Sequence, residues 1–407
     1  MRPEGKRKSM PMRRVRRDGG VALIFALVFT VMLTALVFGF MYESEVTASL
    51  VQNGSLDFQA LLAAKSAVAN GMATLMDDQI ETEMNGMPEV DSMLDPSQWA
   101  AGLPFEPLNE AMMRTTISDE YGKINLNALI IARDGSLVRN EELINALRIF
   151  FSLRSDTDRD PVDAILDWLD YDDMDAEEPE GAENDYYMGL ENPFACNNGP
   201  MHSIEELLLI KGITPELYFG DPEQEQLPLS EYLTVHGDWR GRVNANTARE
   251  EVIAAVLGGA TGNSDIGLAQ QIFDEARTQP FEDTARLANL VSPALPPAAE
   301  SAGNTRDRNR PTIPARPGAT TNPRLEEQMR QQELVGQMFR VNSNVFRIYG
   351  DGMVEDVLAR VEAYVRRTPL DLSEIENYAS SVGGSLAQDS GVVPETPMRV
   401  LDWKVIR

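Results

Sequence analysis

Carboxylates are concentrated in one short part of this sequence. Between Asp156 and Glu191 there are 15 Asp or Glu residues, and the densest part begins at Asp167 and continues to Asp173. So many like charges in one loop repel each other unless a cation gathers them. Ca²⁺ takes about six to eight hard oxygen ligands, which carboxylates supply. The run therefore predicts a calcium-binding loop.

The acidic run permits three other interpretations. Acidic runs are often solvated loops without a ligand. An EF-hand fits poorly: Asp156, Asp158 and Asp160 have its spacing, but Pro161 replaces the Gly that its turn needs and Asp167 replaces the bidentate Glu. A catalytic carboxylate pair is disfavoured, because the sequence has no evident aromatic platform for a sugar.

Aromatic residues and helical patterns indicate which elements position this loop. Trp168 lies in its densest part, and Tyr186 and Tyr187 follow it. They favour a loop attached to a core at both ends. Residues 141–170 have helical apolar spacing, and a second helical group covers residues 203–290. The loop is therefore expected inside a helical domain.

The first residues of the chain are basic and the next ones are apolar. Eight Lys or Arg residues precede Gly19, and residues 21–41 are an uncharged apolar run. At about 1.5 Å per residue, such a run crosses a hydrocarbon core of about 30 Å. The basic segment predicts a cytoplasmic N-terminus, with the rest of the chain beyond the membrane.

Three interpretations of the apolar segment are considered. A secretory signal peptide has a shorter apolar core and a small-residue cleavage site, which this segment lacks. A plain single-pass anchor fits. A prepilin leader also fits, because it is cut after a Gly before the apolar run, where Gly20 and Val21 stand. No Pro occurs between Pro11 and Pro88, and this favours the last interpretation, with one long helix from residue 21 to residue 76.

Composition disfavours several classes of protein. The 407 residues carry a net charge of −28, and an acidic body repels nucleic acid and anionic membrane surfaces. Cys196 is the only cysteine, so it cannot form an internal disulfide. The chain has only His202 and His236, which argues against a His-rich metal site or a His-based hydrolase.

Strand patterns lie on both sides of the helical part. Residues 114–119 and 339–348 predict strands, a turn is expected at Gly350-Asp351-Gly352, and further strands are expected at 354–365 and 399–406. Residues 292–324, rich in Pro, Ala, Asn, Thr and Arg, predict a disordered insert. This order of elements predicts a helix-on-sheet domain with an all-helical domain inserted in it.

The predicted division of the chain has six parts. They are a leader at residues 1–20, an N-terminal helix at 21–76, the first part of the sheet domain at 77–125, the inserted helical domain at 126–290, a disordered insert or linker at 291–335, and the C-terminal strands at 336–407.

Six short motifs carry a specific resemblance. In chain order they are GKINLNAL at residues 122–129, AILDWLD at 164–170, GAENDYY at 181–187, SIEELLLIKG at 203–212, LPLSEYLTVHG at 227–237 and VNANTA at 243–248. Each motif is weak by itself. Together, in this order, they are similar to the type II secretion minor pseudopilin K family.

The resemblance implies a fold and a place in a filament. The fold class is α+β: a pilin-like long N-terminal helix packed on an antiparallel β-sheet, with a large inserted all-α domain. A prepilin peptidase would cut between Gly20 and Val21. The chain would stay in the inner membrane through residues 21–41, with its body in the periplasm. It would initiate or cap a short filament.

The resemblance also implies partners and a metal. The expected partners are the minor pseudopilins I and J, the major pseudopilin and the inner-membrane assembly platform. The family's helical domain binds calcium through an acidic loop, which agrees with the charge argument above. By position, the expected ligands of a structural Ca²⁺ are Asp170, Asp172, Asp173, Glu183 and Asp185.

A second resemblance gives an alternative function. Residues 203–217 and 243–256 resemble the paired helix-hairpin-helix elements of membrane-anchored DNA-uptake receptors. Such hairpins bind phosphates through a Gly-x-Gly turn, but Gly212-Ile213-Thr214 lacks the second Gly and Lys211 is nearly alone among carboxylates. The electrostatics therefore disfavour DNA. We expect neither a nucleic-acid partner nor an enzymatic activity.

Overall fold

The computed structural model describes residues 19–94, 99–102, 104–133, 136–154, 160–171, 178–221, 226–262, 264–291, 323–368 and 398–406. The predicted leader lies outside the described residues, except for its last two positions. The chain divides into two units, Met1–Gln59 and Ala60–Arg407.

A single helix, α1 (Gly19–Met84), begins in the first unit and ends in the second. In the first unit its side chains are almost all exposed, including the apolar ones of residues 21–41. The hydroxyls of Thr30 and Thr34 donate to the carbonyl oxygens of Ala26 and Thr30, each over 2.8 Å. These bonds satisfy the polar groups of an otherwise apolar segment within its own helix.

The long helix was predicted correctly, but its predicted end at residue 76 is wrong. It continues to Met84 through a polar sequence in which Asp78 and Gln79 are buried rather than solvated. Asp78 forms an ion pair with Arg367 over 3.0 Å, and the Gln79 amide donates to the carbonyl oxygen of Thr368 over 2.9 Å. These tertiary contacts hold the last turns, which apolar periodicity alone does not reveal.

The second unit is built on a five-stranded antiparallel sheet. Its strands are β1 (Glu106–Leu108), β2 (Ala111–Asp119), β9 (Val345–Val354), β10 (Val357–Arg367) and β11 (Met398–Ile406), in the order β1-β2-β9-β10-β11. The sheet is antiparallel throughout: β2 pairs with β9 from Met112–Met353 to Asp119–Phe346. Three of the strand segments predicted from alternation, at residues 114–119, 354–365 and 399–406, lie in or overlap these elements.

The predicted turn at Gly350-Asp351-Gly352 is wrong, because all three residues lie inside β9. The hairpin turns instead between Val354 and Val357, where Glu355 has a φ of 51°. The two glycines are required by a close approach of the sheet to α1. A Cβ at either position would come closer than 3.0 Å to backbone atoms of the helix.

Small residues let α1 lie directly on the sheet. They recur along the buried side of the helix as Ala60, Ala63, Ala64, Ala67 and Gly71. The buried hydroxyl of Thr115 on β2 donates to the carbonyl oxygen of Ala67 over 2.8 Å. Leu75 fills the interface farther along and is fully buried. The helix and the sheet therefore share one tightly packed core.

A second, mostly helical body is inserted between β2 and β9. Its helices are α2 (Glu141–Leu153), α3 (Val162–Leu169), α4 (Asn184–Met188), α5 (Pro215–Phe219), α6 (Glu250–Thr261), α7 (Ile266–Thr278), α8 (Thr284–Val291) and α9 (Pro323–Met338). Short strands accompany them: β3 (Ile124–Asn125), β4 (Ile130–Arg133), β5 (Ser136–Arg139), β6 (Leu233–Thr234), β7 (Val243–Asn244) and β8 (Phe339–Arg340). The inserted body has its own continuous hydrophobic core.

The predicted disordered insert at residues 291–335 is wrong for its last part. Residues 292–322 lie outside the described residues. From Pro323 onward the chain is helical, and α9 packs against α6 and α8. Val335 and Met338 are buried in the core of the inserted body. The inserted body therefore extends past the boundary predicted at residue 290, and the predicted strand at 339–348 is two strands, β8 and β9.

Candidate functional site

Two carboxylates on α3 hold the segment that closes the acidic loop. Asp163 accepts a hydrogen bond from the N–H of Glu180 over 3.2 Å. Asp167 accepts from the N–H groups of Glu178 and Ala182, over 3.3 and 2.8 Å. A Cβ at Gly181 would collide with the Asp167 carboxylate. Both aspartates are buried, and they act here as acceptors for backbone donors.

The structure brings two cationic side chains to the same loop. Arg139 on β5 donates to Glu178 and lies 3.7 Å from the Asp170 carboxylate. Lys211 donates its ammonium to the carbonyl oxygen of Gly181 over 2.5 Å and lies over the Tyr186 ring. The protein itself thus supplies part of the positive charge that the acidic loop needs.

The predicted metal ligands are only partly placed. Asp170 follows α3 directly and is half-buried, Glu183 is the N-cap residue of α4, and Asp185 is exposed in the first turn of α4. Asp172 and Asp173 lie outside the described residues. Within the part of the chain that the structure describes, no group of three or more His, Cys, Asp or Glu side chains is arranged to hold a metal ion. Oxygen donors of the right chemistry are present, but the calcium site stays a prediction.

Aromatic rings attach the loop to the helical core, as predicted for two of the three residues. Trp168 and Tyr187 are buried and meet edge to face, with ring centroids 5.3 Å apart. Phe194 packs against Tyr187 at 5.3 Å. Tyr186 meets Tyr187 edge to face with ring centroids 5.2 Å apart, but it is 41% exposed and lies at the margin of this core.

The apolar start of α1 forms a second candidate surface. The helix is long and apolar enough to cross a membrane by length and composition, with a mean hydropathy of 2.8 over its most apolar part. The first charged residue after position 20 is Glu43. A membrane-spanning or helix-pairing role suits a segment of this kind.

A buried ionic network joins the inserted body to the sheet. Glu120, directly after β2, accepts from Lys123 over 2.5 Å and from the Thr234 hydroxyl. Arg347 on β9 lies 3.4 Å from Glu120 and donates to Glu231 over 3.0 Å. Burial acts to raise the pKa of Glu120, but the cations of Lys123 and Arg347 outweigh it and hold that pKa below its usual value. The network therefore keeps Glu120 ionised inside the protein.

A second buried network joins α1, β10 and the inserted body. Arg367 donates to Asp78 over 3.0 Å and to Asp91 over 2.7 Å. Asp91 also accepts from the N–H of Ser343, whose hydroxyl donates to Asp119. Burial raises the pKa of Asp91 to about 7 in spite of the Arg367 cation. Burial raises the pKa of Asp119 as well, although the hydrogen bonds that Asp119 accepts act to lower it.

The sequence analysis predicts neither network, although two of the six motifs contain residues that belong to them. Lys123 belongs to the GKINLNAL motif and Asn244 to the VNANTA motif. Asn244 donates to Asp119, Ser343 and the carbonyl oxygen of Asp91. The motif residues thus contribute to the junction between the inserted body and the sheet.

Comparison with known proteins agrees with these observations. Residues 122–219 match the family model for Type II secretion system (T2SS), protein K. The type II secretion system protein K of Aeromonas hydrophila is 26% identical over 250 residues, which cover 60% of this chain and 71% of the relative. The Klebsiella pneumoniae protein of the same name is 24% identical over 291 residues, which cover 69% and 81%.

A solved structure has the same fold. It is a chain in the crystal structure of the GspK-GspI-GspJ complex from the enterotoxigenic Escherichia coli Type 2 Secretion System. The TM-score is 0.56 at 18% identity, and the match covers 88% of this chain and 99% of that chain. The predicted α+β class, with a long N-terminal helix on an antiparallel sheet and a large inserted helical body, is confirmed. The resemblance that the six motifs predicted is confirmed too: over these ranges the chain is similar to type II secretion system protein K.

Proposed function

We propose that this chain is a minor pseudopilin of a type II secretion system, a structural subunit of the filament that supports protein export. The observation that carries the proposal is the combination of the protein K family match with the geometry of the chain. A helix with an exposed apolar start continues into the core of an antiparallel sheet, and that sheet carries a large inserted body. The relatives are named as secretion-system components, which supports a role without catalysis.

The inserted body supports a place at the end of the filament. Pilin-like helices associate in the bilayer through close packing and hydrogen bonds. A body of this size, attached beside the central strands, would obstruct a further subunit above it. We therefore place the chain at the tip, where it initiates or caps the filament beside the minor pseudopilins I and J. The major pseudopilin and the inner-membrane platform complete the assembly.

Coexpression tests the partners. The full chain, extracted in detergent, should copurify with the minor pseudopilins I and J of the same secretion system. The matched control is the major pseudopilin expressed with I and J in place of this chain. Failure to copurify with either minor pseudopilin would contradict the tip position.

The N-terminus tests the membrane topology and the leader. A prepilin peptidase should remove residues 1–20 and leave Val21 as the first residue, with residues 21–41 in the inner membrane and the body in the periplasm. Mass spectrometry of the chain, expressed with and without the peptidase, measures this. The variant Gly20→Val should block the cut, whereas Gly19→Val should not. A chain that stays uncut would be an anchored protein, and a chain cut beyond Met41 would be a secreted protein. Either result would contradict the pseudopilin proposal.

We also propose a structural Ca²⁺ in the acidic loop, held by Asp170, Asp172, Asp173, Glu183 and Asp185. The ion would fix the loop in one shape between the end of α3 and the start of α4. Its support is the hard-oxygen chemistry of these side chains and the charge density of the run. Arg139 lies on the Asp170 side of the loop, so an ion would have to share Asp170 with it.

Calcium-dependent melting tests this ion. Calcium should raise the melting temperature of the wild-type chain but not that of a variant with both Asp170→Ala and Asp172→Ala. The control is Asp356→Ala, which removes an exposed carboxylate in the turn between β9 and β10 and should keep the response. Equal melting of the wild-type chain with and without calcium would refute the ion.

The DNA-binding alternative is not favoured. Lys211, the cation of the first suggested hairpin, is bonded to the carbonyl oxygen of Gly181 and lies over Tyr186. Leu207, Ile210 and Leu217 of that segment are buried in the helical core. The segment therefore serves packing in the inserted body.

A further inference from the structure

A polar cavity lies between the edge of the sheet and the inserted body. It is lined by the end of β2, the turn after it, the residues just before α6 and the last turn of α7. Its volume is about 170 Å³, more than ten times the roughly 10–15 Å³ that one water requires. It can therefore hold a small polyatomic group.

Cations line this cavity although the protein as a whole is strongly acidic. Lys123, Arg249 and Arg277 contribute to its wall, and the hydroxyl-bearing residues Ser118 and Thr247 lie beside them. The wall also carries two carboxylates, Asp119 and Glu231, so its cations exceed its anions by one in a chain of net charge −28.

Two of the three cations already have anionic partners. Lys123 donates to Glu120 over 2.5 Å, and Arg249 donates to Glu231 over 2.9 Å. Among the residues that the structure describes, Arg277 Nη1 is a buried donor with no hydrogen-bond partner. The Arg277 guanidinium lies over the Phe273 ring at 3.5 Å, which holds its plane but supplies no acceptor for Nη1.

The carboxylates in the wall are occupied elsewhere. Asp119 accepts from Ser343, from Thr247 and from the N–H of Tyr121. Glu231 accepts from Arg249 with one oxygen and from Arg347 with the other. Neither is bonded to Arg277.

The electrostatic situation of Arg277 is unfavourable as it stands. Burial and the nearby Arg249 cation lower the pKa of Arg277, with only Asp274 acting in the opposite direction. A partly buried guanidinium without an anionic partner costs free energy, which an anion beside Arg277 in the cavity would lower.

We infer that this cavity is an oxyanion site, which takes a phosphate or carboxylate group on Arg277. Charge-assisted hydrogen bonds from a guanidinium suit both groups. A phosphate would come from solution, whereas a carboxylate also occurs on the Asp or Glu side chain of a neighbouring protein. The inference does not depend on the proposed place of the chain in a filament.

Thermal melting of the full chain in detergent, in calcium-free buffer at neutral pH, tests the site. Sodium phosphate and sodium acetate are each compared with sodium chloride at equal ionic strength, so that screening is the same in every sample. Arg277→Gln keeps an amide donor and removes the charge. Arg240→Gln is the matched control, because Arg240 is an exposed arginine stacked on Trp239, outside the cavity wall.

The wild-type chain and Arg240→Gln should melt at a higher temperature with an oxyanion than with chloride. In Arg277→Gln the apparent affinity for that oxyanion should fall about tenfold or more. A shift with phosphate alone identifies a free tetrahedral anion as the ligand. A shift with acetate identifies a carboxylate group of the kind that a protein side chain carries. If neither salt raises the melting temperature of the wild-type chain above that in chloride, or if Arg277→Gln responds as the wild type does, the inference is wrong.

Discussion

Replacement of Gly352 by Ala tests the close contact between α1 and the sheet. A Cβ at this position would lie closer than 3.0 Å to the carbonyl oxygen of Ala60 and to the backbone nitrogen of Ala64. Both are backbone atoms of a helix, so they cannot rotate away as the end of a side chain can. Overpacking of this kind costs about 1–3 kcal/mol, and contact with two backbone atoms places Gly352→Ala at about 3 kcal/mol.

Two other glycines give a matched series. At Gly71 a Cβ would meet Ile348 Cγ2 at 2.8 Å and Thr115 Cγ2 at 2.9 Å, which are side-chain atoms, so Gly71→Ala should cost less. At Gly336 in α9 nothing lies within 4 Å, so Gly336→Ala should stabilise the helix by roughly 0.5–1 kcal/mol.

Urea denaturation of the full chain in detergent measures the free energies of unfolding of the wild type and the three variants. The expected order of stability is Gly336→Ala, wild type, Gly71→Ala and then Gly352→Ala. Adding Ala63→Gly should not rescue Gly352→Ala, because the Ala60 carbonyl remains in place. The reasoning is refuted if Gly352→Ala is as stable as the wild type, or if Gly71→Ala is the more damaging change.

Three further changes probe the buried polar groups. Burial raises the pKa of Asp91 to about 7, so the folded state binds more protons than the unfolded state between the usual carboxyl pKa and pH 7. The free energy of unfolding of the wild type should therefore fall relative to that of Asp91→Asn as pH rises through this window, by at most about 1.4 kcal/mol per pH unit. Parallel curves of unfolding free energy against pH for the two proteins would contradict this. Arg347→Gln should destabilise the protein by about 3–5 kcal/mol in urea denaturation, because Glu120 and Glu231 lose a buried cation. A change below about 1 kcal/mol would contradict this role of Arg347. Thr115→Val should cost about 1 kcal/mol in the same assay through loss of the bond to Ala67, and an unchanged stability would argue against that bond.

The elements that local sequence patterns determine were predicted well. The apolar run and the absence of proline predicted α1, and alternation placed strands in or near β2, β10 and β11. The helical spacing from residue 141 predicted α2 and α3. In each of these cases the apolar pattern lies within the element itself.

The errors arose where a long-range contact determines the local structure. Gly350 and Gly352 have the composition of a turn, but in β9 they make room for a helix that is distant in sequence. Residues 323–333 are mostly polar, yet α9 forms because Val335 and Met338 reach the core of the inserted body.

In the candidate sites, too, local sequence predicts some features and long-range contacts determine the others. Charge density could predict an acidic loop, but Asp163 and Asp167 serve as acceptors for the loop's own backbone, which depends on how α3 faces residues 178–182. The cavity at Arg277 joins β2, α6 and α7, whose proximity no motif in the sequence reveals.

The insertion between β2 and β9 has a consequence for the order of folding. Asp119 pairs with Phe346, so the whole inserted body must be synthesised before the two neighbouring strands can meet. The entropic cost of closing such a long loop is much reduced once the body has folded and brought its ends together, which the parallel pair of β7 and β8 helps to do. The inserted body should therefore fold early, and until it has folded the side of β2 that pairs with β9 stays unpaired. Until the two strands pair, such an edge is where a chaperone would protect the chain and where aggregation would begin.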